Sequence, residues 1–162
     1  MKQRVKNRSS GFTFIEIVVS LAIIGILTSI CLPLAEMSVQ RRKEDDLRAS
    51  LRQIRAALDA YRVAVDEGRI KREAGESGYP KSLRVLVDGI EDASSASGGR
   101  IYFLRRMARD PFFPDRTVPP EQTWGQRSYA SPADAPKSGK DVYDVYSMAR
   151  GRGLNGVEYR EW

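Results

Sequence analysis

The sequence predicts an α+β chain: a long N-terminal helix, membrane-spanning in its first half, packed on a small C-terminal domain with an antiparallel sheet. Three observations predict it. From Phe12 to Ala35 the only charged side chain is Glu16. From Leu47 to Val65 apolar residues return at steps of three and four. Beyond Gly68, clusters of Gly, Pro and Ser divide the chain into short apolar stretches, too short for further long helices.

Residues 1–11 form a basic leader, with Lys2, Arg4, Lys6 and Arg8 and no acid. The whole chain has 162 residues and a formal net charge of +6. Such a charge invites nucleic acid or anionic lipid as a partner. Loss of the four leader cations, however, lowers it to about +2, an ordinary value, and no nucleic-acid partner is expected.

Residues 12–35 form the membrane segment. About 24 residues at 1.5 Å each cross roughly 30 Å of hydrocarbon. A secretory signal would be shorter and followed by a small-residue cleavage site; here the small residues Ser9, Ser10 and Gly11 precede the apolar run. The basic leader stays in the cytoplasm, so the C-terminal part faces the other side. Arg41-Arg42-Lys43 follow the span, but Glu44-Asp45-Asp46 offset them at once. Cys31, the single cysteine, lies inside the apolar run, so no intrachain disulfide forms and its reading is a small membrane-buried side chain. Glu16 is the anomaly, because a carboxylate near hydrocarbon costs roughly a few kcal/mol and calls for a partner.

Residues 36–68 are read as an amphipathic stem. Pro33, just before it, should kink or locally melt the helix. Leu47, Leu51, Ile54, Leu58, Tyr61 and Val65 make one apolar stripe, with Arg48, Arg52, Arg55, Asp59, Arg62 and Asp66 elsewhere on the helix. Such a stripe fits a coiled-coil seam or a helix laid on its own globular domain; the second is the expectation. Gly68 is the stop.

Residues 69–162 are the globular α+β part. Tyr79-Pro80 opens a short helix through Leu83, Leu86 and Val87 that ends at Gly89, and a Ser/Gly-rich loop follows over 94–99. Ile101 to Leu104 fits strand or helix. Asp110-Pro111 leads into a loop with Pro114, Pro119 and Pro120. Gln126–Ala130 and Val142–Ser147 read as strands.

The stretch SSGFTFIEIVVSLAIIGIL resembles the class III signal of type IV pilins and type II secretion pseudopilins. The resemblance implies a pilin-like fold. It also implies that a prepilin peptidase cuts after Gly11 and N-methylates Phe12, the new first residue. Glu16 then falls fifth in the mature chain, where the family's glutamate attracts the amine of an assembling neighbour. A pair within one chain stays open, since Phe12 and Glu16 are one helical turn apart.

Looser similarity continues to the C-terminal part. Tyr79-Pro80 with Leu83 and Leu86, Asp110-Pro111, Trp124-Gly125 and Tyr143-Asp144-Val145-Tyr146-Ser147 resemble the major, G-type pseudopilin. Two departures stand out. Asp110-Pro111 and Trp124-Gly125 are separated by an insertion expected to be surface exposed. The acid-rich turn that binds calcium in that family reads here Met148-Ala149-Arg150-Gly151-Arg152-Gly153-Leu154-Asn155-Gly156. Calcium takes several oxygen ligands, usually with carboxylates among them, and two arginines repel it. Asp144, Asn155 and backbone carbonyls are the oxygens left. No metal site is expected, and aromatic packing by Tyr159 and Trp162 is the alternative fastening for this segment.

The resemblance implies a non-catalytic subunit of a type II secretion pseudopilus, supporting protein export across the outer membrane. It would be a single-pass protein of the bacterial inner membrane with a periplasmic C-terminal domain. Its implied partners are further copies of itself in a filament, other pseudopilins, the prepilin peptidase, the inner-membrane secretion platform and membrane lipid. The alternative is a minor pilin of a type IV pilus or DNA-uptake filament, with Arg105, Arg106, Arg109, Arg150 and Arg152 as a phosphate-binding patch. An enzyme is not expected, and no cofactor: histidine is absent, and no P-loop, triad or paired metal-ligand motif occurs.

Overall fold

The computed structural model describes residues 11–162, apart from the side chains of 30–32. The expectations for leader residues 1–10 and for the Cys31 side chain therefore lie outside the described residues. Helix α1 runs Phe14–Asp66, 53 residues. It is followed by α2 (Val85–Asp88), β1 (Ile90–Glu91), β2 (Arg100–Ile101), a 3-10 turn (Pro120–Thr123), β3 (Trp124–Arg127), β4 (Asp144–Ser147) and a last 3-10 turn (Tyr159–Glu161). The strands form two antiparallel pairs, β1 with β2 and β3 with β4. The α+β, pilin-like layout read from the sequence is present. Two compact units divide between Gln40 and Arg41.

In the first unit the helical residues present apolar side chains around the helix: Phe14, Ile15, Leu21 and Ile26 are all exposed. An 18-residue window of α1 has a mean hydropathy of 2.6 with none of it buried, and α1 is the one helix among the described residues long and apolar enough to cross a membrane. Leaving such side chains in water forfeits about 1.5–3 kcal/mol each, so this surface requires lipid or other helices around it. Two hydroxyls within it donate to carbonyls four residues earlier, Ser20 to Glu16 at 2.7 Å and Thr28 to Ile24 at 2.8 Å. That satisfies them where water is absent. Helix continues through Pro33, so the local melting expected there does not occur. The ring removes one bond of the ladder, and the turns on either side hold the helical conformation.

In the second unit, from Arg41 onward, the stripe of α1 is buried as read: Leu47, Leu51, Ile54, Leu58, Tyr61 and Val65 belong to one core with Leu83, Leu86, Trp124, Val142 and Val145. The chain's own domain covers the seam. Gly68 ends the helix with φ +73°. Its N–H donates to the Val65 carbonyl at 3.0 Å, and the Arg69 N–H to that of Ala64 at 2.9 Å. These two bonds cap the last turn in a conformation that costs an L-residue about 1–2 kcal/mol.

The β1–β2 pair puts Ile90 opposite Ile101 and Glu91 opposite Arg100. The Ser/Gly loop closes it, and the Arg69 guanidinium donates to Asp92 at its base at 2.8 Å. That bond, with the Ser94 hydroxyl, holds the Asp92 carboxyl down at about 2. Of the apolar run Ile101–Leu104 only Ile101 is strand. Phe103 and Leu104 turn their N–H groups onto the Leu86 carbonyl of α2.

β3 and β4 pair from Trp124↔Ser147 to Arg127↔Asp144. The first strand thus starts and ends earlier than the expected Gln126–Ala130. After Arg127 the backbone leaves the ladder, as Ser128 N–H donates to the Lys137 carbonyl and Tyr129 N–H to the Asp141 carboxylate. Val142, expected in the second strand, instead donates to the Pro80 carbonyl. Gly125 faces Tyr146, and a Cβ there would lie 2.3 Å from the tyrosine ring. The Trp-Gly pair is therefore a packing device: tryptophan into the core, glycine making room for the ring across from it.

Candidate functional site

The sequence places its most specific residues at the start of α1. Gly11, Phe12 and Thr13 precede the helix. The Thr13 hydroxyl accepts the Glu16 N–H at 3.3 Å, while the Thr13 carbonyl accepts those of Glu16 (3.1 Å) and Ile17 (3.2 Å). Thr13 is thus the N-cap, and Glu16 stands three residues later in the first turn. Thr-x-x-Glu is a capping-box signature, and a carboxylate there also meets the positive end of the helix dipole. The Thr13 half of that box is formed, with Glu16 placed in the first turn, and both were readable from the sequence spacing and missed. Phe12 is 78% exposed. A side chain built onto Gly11 would meet nothing within 4 Å, so the fold itself sets no requirement for glycine there.

A second site expectation concerned the C-terminal loop. Asp144, the carboxylate among the oxygens left for such a site, is engaged by Arg55 at 2.8 Å and Arg127 at 3.5 Å. The Asn155 side-chain oxygen accepts the Val157 N–H at 3.1 Å. Among the described residues no group of three or more His, Cys, Asp or Glu side chains is gathered as a metal site. The loop is tied down from α1: the buried Glu44 carboxylate accepts the Leu154 N–H at 2.9 Å and the Tyr159 hydroxyl at 3.0 Å. Tyr159 stacks on Phe112 at 4.3 Å between centroids and meets Trp162 edge-on at 5.2 Å. The Arg48 guanidinium covers the Trp162 ring at 4.2 Å. The aromatic fastening read from Tyr159 and Trp162 is present. Glu44, read only as one of three acids that offset Arg41-Arg42-Lys43, is buried, and Tyr159 and a backbone N–H replace the water it gives up.

Asp110 of the Asp-Pro pair is a second buried carboxylate. Its two oxygens accept the Ser147 hydroxyl at 2.6 Å and the Phe112 N–H at 2.8 Å. The Trp124 indole N–H donates to the Ala108 carbonyl at 2.8 Å. Asp-Pro, Trp-Gly and the last strand are therefore joined by hydrogen bonds, although the insertion separates them in sequence. That insertion is exposed over 114–117.

The five arginines considered as a phosphate patch are not one surface. Arg109 donates to the carbonyls of Asp115, Arg116 and Val118, which closes the Pro-rich loop. Arg105 and Arg106 line a cavity beside Ala56 and Ala60 on α1, whereas Arg150 and Arg152 line another, beside Arg160.

Compared with known families, residues 6–32 match the prokaryotic N-terminal methylation motif, the signal of type IV pilins and pseudopilins. The matched segment contains Gly11, Phe12 and Glu16. No curated protein and no solved structure matches the chain. The chain carries a pilin-type N-terminal signal on an apolar helix able to anchor it in a membrane, and the match ends before the globular unit.

Proposed function

We propose that this chain is a structural subunit of a type II secretion pseudopilus, made as a precursor, cut after Gly11, methylated at Phe12 and assembled through its N-terminal helix. The observation that carries the proposal is the methylation motif lying on a helix whose apolar side chains have no cover within the first unit. A helix of this kind is stable in lipid, and equally against the same helix of other copies. Glu16 fits both environments: in the membrane it sits in the first, capped turn, and in a filament it would face a neighbour's methylated amine.

The choice of pseudopilin within the pilin class rests on the G-type resemblance of the C-terminal part. Support comes from the hydrogen-bonded meeting of Asp110, Trp124 and Ser147, three of the positions that carry it. On this reading the chain sits in the bacterial inner membrane, its globular unit is periplasmic, and its partners are copies of itself, other pseudopilins, the prepilin peptidase and the secretion platform. It contributes assembly rather than catalysis. A pilus subunit is the second reading, since the motif is common to both.

Co-expression with a prepilin peptidase tests the proposal. Mass spectrometry should find a product starting at N-methyl-Phe12, and a bulky or charged residue at position 11 should block its formation. Filaments built from uncut chains would overturn it. Deleting the gene in its host then separates the two readings: loss of exported proteins indicates secretion, and loss of surface pili with export intact indicates a pilus.

A further inference from the structure

Between the end of β4 and the C-terminal loop lies a cleft of about 460 Å³, lined by residues 146–152 with Glu158 and Arg160. Its charged side chains are Arg150, Arg152, Arg160 and Glu158, a formal balance of +2. Glu158 stands 3.8 Å from Arg152 and 3.4 Å from Arg160, so one carboxylate is shared between two guanidinium groups. Arg150 is exposed and makes no hydrogen bond or ion pair among the described residues.

The frame around these side chains is fixed. Arg152 and Glu158 form an antiparallel bridge, Gly153 N–H donates to the Val157 carbonyl at 2.8 Å, and Tyr159 N–H to that of Gly151 at 3.3 Å. From α1, Glu44 holds Leu154. A ligand entering here does not have to order a loose loop, so little affinity is lost to that cost.

We propose that this cleft binds a phosphate-class oxyanion. Guanidinium groups are weakly hydrated, planar donors that match phosphate oxygens two at a time. Inorganic phosphate near pH 7 carries between one and two negative charges and a lipid phosphodiester carries one, so each is drawn to a lining with an excess of guanidinium groups. The arrangement suits one anion rather than a nucleic-acid strand, because Arg105 and Arg106 line a different cavity and Arg109 is spent on carbonyls. The phosphate oxygens have two sources, free inorganic phosphate or the headgroup of an anionic lipid.

The test uses the full chain with its arginine side-chain nitrogens labelled for NMR. One arm, in neutral detergent, titrates sodium phosphate at constant ionic strength. The other places the chain in lipid nanodiscs of phosphatidylcholine alone or with phosphatidylglycerol. Saturable shifts of the Arg150, Arg152 and Arg160 signals with phosphate support the free anion. Shifts confined to phosphatidylglycerol discs assign the headgroup. Arg150→Glu, at a side chain that supports no internal contact, should weaken binding at least about tenfold with an unchanged melting temperature. Glu158→Gln should strengthen it, which a purely structural role for these residues would not produce. No saturable shift with either probe, or equal affinity in Arg150→Glu, overturns the proposal.

Discussion

The Glu44 carboxylate, on the first helix, accepts a hydrogen bond from the Tyr159 hydroxyl at 3.0 Å across 115 residues of sequence. Together with the Leu154 N–H it makes α1 the support of the C-terminal loop. Truncation to Glu44→Ala leaves a buried hydroxyl and a half-buried N–H without that acceptor. The expected cost is about 2–4 kcal/mol, a fall of roughly 4–16 °C in melting temperature for a chain of this size. Glu44→Gln keeps an oxygen acceptor and should lose less than half as much. Thermal unfolding followed by fluorescence of Trp124 and Trp162, both in the globular unit, reads the difference.

Fastening by Glu44 and aromatic rings predicts indifference to calcium. The melting temperature should be the same in millimolar calcium and in chelator, since Asp144 is engaged by Arg55 and Arg127 and the turn carries Arg150 and Arg152. Trp162→Ala should lower stability by about 1–2 kcal/mol, through loss of the contacts with Tyr159 and the Arg48 guanidinium. A rise of several degrees with calcium would contradict the assignment of the loop.

Glu16 and Thr13 separate capping from assembly. Thr13→Val removes the hydroxyl that caps the helix, at a cost of about 1 kcal/mol, and keeps the carboxylate. Glu16→Leu keeps the cap and removes the charge. Both proteins should fractionate with membranes, the second more firmly because an apolar helix has lost a carboxylate. Filament yield should collapse in Glu16→Leu and change little in Thr13→Val. Equal yields would mean that Glu16 acts only within its own chain.

Asp92 supplies a pH dependence. Its folded-state carboxyl titrates at about 2, below the usual value, chiefly through the bond from Arg69 and then that from Ser94. A depressed carboxylate stabilises the fold above the unfolded pKa, near 4, and that stabilisation fades as the pH falls toward 2. In Arg69→Gln the Asp92 carboxyl should titrate nearer the ordinary value, and acid unfolding of the variant should depend less on pH between 4 and 2. Carbon-detected NMR titration of Asp92 in both proteins is the measurement.

The long elements were legible because each is a repeated signal. Six apolar residues at helical spacing specify a buried face many times over, and Gly68 after them ends the helix by a conformation few other residues accept. The β1–β2 pair was not legible, since two-residue strands are too short to show alternation. The start of β3 was hidden because glycine is disfavoured inside strands, and only the ring of Tyr146 across the ladder gives Gly125 its purpose. The partners of Glu44 and Arg109 were not legible, for one shared reason. A charged residue in a charged run looks solvated in sequence, and its burial or its bonds to carbonyls depend on chain that arrives many residues later. At the N-terminus the order of residues identified the signal, while the capping role of Thr13 lay within the same letters.

The placement of Gly11, Phe12 and Thr13 ahead of the first helical turn has a kinetic consequence. Proteases act on extended backbone, and a bond inside a hydrogen-bonded helix must first be unwound, at the expense of the several bonds that each turn shares. In the proposed processing the scissile bond already lies outside the ladder, so severing it breaks none of the bonds that start α1. The freed amine would remain on a tether of two residues, with a reach of about 7 Å from the helix start. Cutting and methyl transfer could then follow one another at a single enzyme surface while the helix stays wound, and the product would leave in the shape in which it assembles.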